Sequence, residues 1–324
     1  MEKNILNDNK NDIVLTPSYM IEMMCDIVNL NKDSVVLDNS CGIGNMLEIA
    51  LNRGCKKAIG IEYNPIVYNE CKNRMKKFNN CELYNEDGLN NSIDISDVNV
   101  ALLNPPYSFK NGGLVFVNEI AKKMKQGYIC CITPSSKSMK EILDNCKMIA
   151  AVKLSNIFCG YANVQTSLYV FKVGNRHKLS DSVKFINMTD DGYKRTSRKN
   201  SINNLKDIDN ADERYKEVAL HILNEENIGK YYTKENGLFV EDTISLDGND
   251  WTFEKHIKID REPKQSDFES TIKNYMNFRC KNKINKIFNN EDPYFIAFLL
   301  YCKLNKLDFL EELKNAEELI NVEE

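Results

Sequence analysis

The sequence predicts an α/β protein: a doubly wound, mainly parallel sheet of seven strands with a smaller, mostly helical region behind it. Three observations predict it. Short apolar runs alternate with helical stretches from Val35 onward. A glycine turn joins the first run to a helix. Acidic residues stand at the ends of three successive runs. Strands that alternate with helices build βαβ units, and their crossovers make the sheet parallel.

Each element follows from its residues. Residues 35–38, Val-Val-Leu-Asp, read as a buried strand, and 46–53 as the helix after it. Residues 58–62 form a second strand. The helix 65–78 opens on Pro65, whose missing N–H costs nothing at a first helical position. Residues 81–85 and 98–103 are the third and fourth strands, and 114–124 is helical. Residues 128–133, 148–154 and 167–173 complete the seven strands. No long crossover separates the last two, so an antiparallel hairpin at the sheet edge is expected there. Residues 183–187 suit one further strand, and a basic loop follows with Lys194, Arg195, Arg198 and Lys199. Residues 268–288 and 294–319 have helical periodicity, the first with Tyr275, Phe278 and Ile287 on one stripe. The division expected is 1–206 for the sheet domain and 207–324 for a mostly helical region.

Composition bounds the function classes. A chain of 324 residues suggests roughly two domains. It has 43 Lys+Arg against 47 Asp+Glu, a net charge of −4, which speaks against a wholly basic nucleic-acid binder. No apolar window is long enough to cross a membrane, and residues 1–12 hold no apolar signal core. The 11 cysteines include no C-x-x-C pair, and His177, His221 and His256 lie far apart, so no metal site is expected. The thiols read as reduced and mostly buried, as in a cytoplasmic protein. The scarcity of histidine also disfavours a serine or cysteine hydrolase triad.

The first strand runs into Asp38-Asn39-Ser40-Cys41-Gly42-Ile43-Gly44-Asn45. Glycines there let the chain turn tightly and a ligand approach the backbone. Glu62 closes the second strand 20 residues after Gly42, where nucleotide-binding sheets carry the carboxylate for ribose hydroxyls. Asp87 follows the third strand. Ligands of such sheets bind outside the carboxyl ends of the strands, so Asp38, Glu62 and Asp87 converge on one pocket. One such acid would read as a helix cap; three at successive strand ends read as a site.

Asn104-Pro105-Pro106-Tyr107 directly follows the fourth strand. Two prolines make the segment rigid. The position resembles that of the catalytic motif of amino-methyltransferases, and the residue types then suit methylation of an exocyclic amine, whose lone pair is delocalised into its ring. The Asn104 side-chain oxygen and the Pro105 carbonyl can accept the two amine hydrogens and free that lone pair for in-line attack on a methyl group. Tyr107 offers a face for an extruded base, worth about 1–3 kcal/mol. No Pro-Cys dipeptide occurs, so the thiolate route of cytosine-carbon methylation has no visible nucleophile.

These motifs together resemble the N6-adenine DNA methyltransferases, in particular the modification subunits of type I restriction-modification systems. The turn from Asp38 to Gly44 matches the acid-x-x-x-Gly-x-Gly pattern of class I S-adenosylmethionine-dependent methyltransferases, a Rossmann-like fold. Thr16-Pro17 matches the Thr-Pro segment that precedes the cofactor turn in gamma-type enzymes and covers the methionine end. Residues 157–171 and 183–195 also resemble segments of modification subunits. The resemblance implies S-adenosyl-L-methionine as cofactor, held by Thr16, Pro17, Asp38, Cys41, Gly42, Gly44, Asn45, Glu62, Tyr63 and Asp87. It implies Asn104, Pro105, Pro106 and Tyr107 as the catalytic motif, and DNA as the partner, with or without a specificity subunit. Type I subunits carry a helical domain before the Thr-Pro segment, whereas only a short run precedes Thr16 here, which leaves the usual assembly open.

Three other readings stand beside it. Methyltransferases of release-factor glutamines use the same tetrapeptide, but the Thr-Pro segment, the basic loop and the C-terminal helices speak against them. A non-catalytic interaction module is disfavoured by the intact Asn104 and pocket acids. An RNA adenine methyltransferase has the same target amine. The basic cluster Lys194, Arg195, Arg198 and Lys199 is either a phosphate-binding loop or a solvated one.

Overall fold

The computed structural model describes residues 14–159, 164–196, 205–223 and 229–257, with isolated positions beyond. The chain divides into two compact units, Met1–Ile257 and Lys258–Glu324. The first holds the sheet. Its elements in order are α1 (Ser18–Ile27), β1 (Val35–Asp38), α2 (Asn45–Asn52), β2 (Lys57–Ile61), α3 (Pro65–Met75), β3 (Cys81–Tyr84), β4 (Val100–Leu103), α4 (Leu114–Lys123) and β5 (Gly127–Pro134). There follow β6 (Cys146–Leu154), β7 (Thr166–Val173), β8 (Ser182–Met188), β9 (Tyr193–Arg195), β10 (Leu205–Asp207), α5 (Ala211–Leu223) and β11 (Phe239–Thr243).

Nine strands form one sheet in the order β11-β8-β6-β7-β5-β4-β1-β2-β3, and β9 and β10 form a separate hairpin. β3, β2, β1, β4 and β5 run parallel, in the register Leu37 to Ile59 and Leu37 to Ala101. This half is the doubly wound sheet the alternation predicts. β1 and β4 are buried along their whole length, which is why they read as unbroken apolar runs.

The far half differs from expectation. β6 and β7 are antiparallel partners, but the pair is no edge hairpin: β7 inserts between β5 and β6. β8 then adds parallel to β6, and β11 antiparallel to β8. β11 and α5 therefore join the first unit, which runs to Ile257, past the division expected after residue 206. Two apolar layers flank the sheet, and alternation assigns residues between them. Cys130 faces one layer and its neighbour Cys131 the other. Cys130 and Cys131 are free thiols. No helix among the described residues is long and apolar enough to cross a membrane. The helical stretches expected at 268–288 and 294–319 lie outside the described residues.

Candidate active site

A cavity of about 810 Å³ opens at the carboxyl ends of β1, β2 and β4. That is within the usual range for small-molecule sites. It is lined by Thr16, Asp38, Cys41, Gly42, Asn45, Glu62, Tyr63 and Asp87, and by all four residues from Asn104 to Tyr107. Of the residues expected to hold a cofactor, Pro17 and Gly44 do not line it. Pro17 stands before α1, where its carbonyl accepts from the N–H groups of Met20 and Ile21. Gly44 precedes α2, and a side chain there would meet Cys71 and Met75.

The turn is built to admit a ligand. Gly42 has φ +54°, and a Cβ placed on it would have no atom within 4 Å. Its bare backbone therefore faces open space. Its N–H donates to Glu62 Oε2 at 2.9 Å, and the Asn64 N–H donates to Oε1 at 2.8 Å. Each carboxylate oxygen keeps a further lone pair for a ligand hydroxyl. Burial raises the Glu62 carboxyl above its usual range, against those two backbone bonds. Asp38 is 4% exposed. Burial pushes it up to about 7, the Glu62 charge adds, and the Ser40 N–H on its Oδ1 at 3.1 Å opposes. Ser40 Oγ is buried without a hydrogen-bond partner. A ligand with hydroxyls and a cationic group fits this wall: acceptors on Glu62, a carboxyl on Asp38 and room against Gly42. Asp87 is exposed at the rim, with Oδ1 accepting from the Leu89 N–H at 2.9 Å. Tyr63 is 76% exposed and leaves its ring free to cover a ligand.

Two expected ligand residues act within the protein. Asn45 donates from Nδ2 to the Thr16 carbonyl at 3.0 Å and accepts from Arg74 Nη2 at 2.8 Å. It ties the Thr-Pro segment to α3 across the turn. Cys41 is packed into the core beneath the turn, and a hydrogen bond with Cys71 and burial hold its thiol well above the usual range. It is not a nucleophile at neutral pH.

Asn104 extends from the end of β4. Its Nδ2 donates to the Val14 carbonyl at 3.2 Å, and its Oδ1 accepts from the Tyr107 hydroxyl at 2.9 Å. The Val14 carbonyl can only accept, so the amide nitrogen must face it and the oxygen must face Tyr107. One lone pair of Oδ1 stays available. Burial raises the Tyr107 hydroxyl far above its usual range, so it stays a donor. The Tyr107 ring also sits edge-on to Phe158, centroids 6.3 Å apart.

A second turn supports this motif. At residues 110–113 Asn111, Gly112 and Gly113 all have positive φ. A Cβ at Gly113 would lie 2.8 Å from Pro105 Cγ and 3.0 Å from the Pro106 carbonyl oxygen. Only glycine lets the two backbones meet so closely. Asn39 fastens the neighbouring wall, donating to the carbonyls of Gly88 and Phe116 at 3.2 Å each. The Gly112-Gly113 pair was the visible signal for this turn. Nothing in sequence marks Asn39 beyond its place in the loop after β1.

The basic cluster is separate from the cavity lining. Lys194 is exposed on β9. Arg195 is not available to a phosphate: its guanidinium pairs with Asp191, donates to the Tyr19 hydroxyl at 3.1 Å and lies over the Tyr19 and Tyr193 rings. Asp191 is 1% exposed. Burial would raise its carboxyl, but bonds from Arg195, Tyr215 and Ser155 hold it below the usual range. Arg198 and Lys199 lie outside the described residues. Among the described residues, no group of three or more His, Cys, Asp or Glu side chains is arranged to hold a metal.

Known proteins share parts of this arrangement. The family described as Conserved hypothetical protein 95 matches residues 19–162. The type II restriction enzyme and methyltransferase RM.BcgI of Heyndrickxia coagulans is 25% identical over 310 residues, covering 82% of this chain. The chain spans 46% of that protein's length. A chain assigned as the modification subunit of a type I restriction enzyme from Vibrio vulnificus YJ016 superposes with TM-score 0.55 at 15% identity, over 75% of this chain and 57% of that one. A chain from a type I R-M system superposes with TM-score 0.56 at 16% identity, over 99% of this chain and 69% of that one. The likeness to these two solved chains is one of fold.

Proposed function

We propose that the chain is an S-adenosylmethionine-dependent methyltransferase of a restriction-modification or related system, acting on the N6 amine of an adenine flipped out of DNA. The observation that carries the reading is Asn104. Its amide ends β4 beside the glycine turn, oriented by Val14 and Tyr107, with one lone pair of Oδ1 free over the cavity. The similarity to RM.BcgI, a restriction enzyme and methyltransferase, supports the DNA context.

When bound, S-adenosylmethionine supplies an electrophilic methyl group on a sulfonium. In this reading Glu62 takes the ribose hydroxyls, Asp38 faces the cationic end and Tyr63 covers the adenine ring. Thr16 closes over the methionine end. Asn104 Oδ1 and the Pro105 carbonyl accept the hydrogens of the target amine, and the cavity holds it in line for transfer. Flipping a base costs a few kcal/mol, which stacking on Tyr107 offsets in part. Catalysis falls to the first unit. Sequence choice falls to the remainder of 207–324 or to a specificity subunit, in a cytoplasmic setting.

Long-read methylation mapping of DNA from cells expressing the chain alone tests this. N6-methyladenine in one sequence context is the expected result, absent in an Asn104→Ala strain. Unmodified DNA, with methylglutamine gained in release factors, would overturn it.

A further inference from the structure

We propose that Lys110 and Lys137 form a phosphate-binding pair beyond the Asn104–Tyr107 motif, and that they hold the DNA backbone on either side of the flipped base. This rests on the function proposed above. The two residues come from different loops, and those loops meet at one turn. Lys110 opens the 3₁₀ turn Lys110–Gly113 after β4. Lys137 follows β5, and its Cγ is 2.9 Å from where a Gly112 side chain would begin. The next residue, Gly113, abuts Pro105 and Pro106. The stem of Lys137 therefore crosses the turn that supports the catalytic motif.

Their surroundings suit an anion. Both are exposed, and among the described residues neither has a carboxylate within 4.0 Å. The loop carries further donors, with Ser136 exposed beside Lys137. The acids of the site, Asp38, Glu62 and Asp87, stand at the ends of β1, β2 and β3, on one side of β4 in the sheet, whereas Lys110 and Lys137 follow β4 and β5. They repel phosphate there and leave the side of the Asn104 motif nearer these amines to a polyanion. An extruded base needs its flanking phosphates held, and phosphate contacts are what fix register on a nucleic acid. Arg195, spent on Asp191 and Tyr19, does not serve.

The test is the salt dependence of binding to a fluorescein-labelled DNA duplex with one extrahelical adenine, between about 50 and 200 mM salt. Replacing both lysines by alanine is expected to flatten the log–log slope by about 1.8, some 0.9 per lost phosphate contact. The KM for DNA should rise. The Lys110→Arg, Lys137→Arg variant should restore the slope. Retained binding of S-adenosylhomocysteine checks that the alanine variant is folded. A parent that methylates DNA, with an unchanged slope and KM in the alanine variant, overturns the inference alone. A parent that neither binds nor methylates DNA overturns the functional reading, and the inference with it.

Discussion

Asn104 shows how much a single amide can be constrained. One acceptor-only neighbour, the Val14 carbonyl, and one hydroxyl, on Tyr107, set both its position and its orientation. Replacement by alanine is expected to lower kcat at least about 100-fold, the scale of losing one preorganised polar group. Cofactor binding, measured by calorimetry, should remain. Asp38 gives a second prediction. Its folded value of about 7 lies above the ordinary carboxylate range. Between about pH 4 and 7 the unfolded chain has released this proton and the folded chain has kept it, so the group lowers stability as pH rises through that window. Asp38→Asn removes this term. Its unfolding free energy relative to the parent should climb from pH 4 to pH 7 and level off above; urea melts at several pH values measure the difference, and a flat difference would refute the assignment.

At the scale of elements, the turns and loops decide more than the strands. The turn 110–113 supports Pro105 and Pro106, so Gly113→Ala adds a Cβ where none fits, on a backbone with φ +89°. A left-handed non-glycine residue costs roughly 1–2 kcal/mol. The loss in stability should be of that size, with reduced kcat and retained cofactor binding. Asp191, in the loop between β8 and β9, pairs with Arg195 at the end of β9, and the pair reaches α1 through Tyr19 and α5 through Tyr215. Arg195→Ala leaves a buried carboxylate unpaired and should cost about 3–5 kcal/mol in chemical denaturation. A cost near zero would show the pair to be merely superficial. The charge run at 194–199 looked like one basic surface, but periodicity along the chain does not reveal that Asp191 claims Arg195.

For the whole molecule, the net charge of −4 argues about grip more than about substrate. In the proposed reading the pocket acids face the cofactor, and the phosphate contacts are few. DNA affinity of this chain alone should therefore be modest and rise when a DNA-reading partner is added. Ligand linkage gives a direct test of the cofactor: S-adenosylhomocysteine at 100 times its Kd should stabilise the fold by about 2.7 kcal/mol, read as a rise in Tm. No rise would remove the cofactor reading.

The sequence by itself determined the parallel half of the sheet, the glycine turn with its acids and the Asn-Pro-Pro-Tyr segment, because each is a local pattern. Buried parallel strands are continuous apolar runs, and a strand-end acid or a double proline is visible where it stands. Only the tertiary structure decided the order of the remaining strands. The insertion of β7 between β5 and β6, and the return of β11 to pair with β8, depend on which apolar faces meet across long separations. It also decided which polar side chains are spent inside the protein. Arg195 looks like a phosphate-binding residue in sequence, and partners within the fold, Asp191 and Tyr19, already use it.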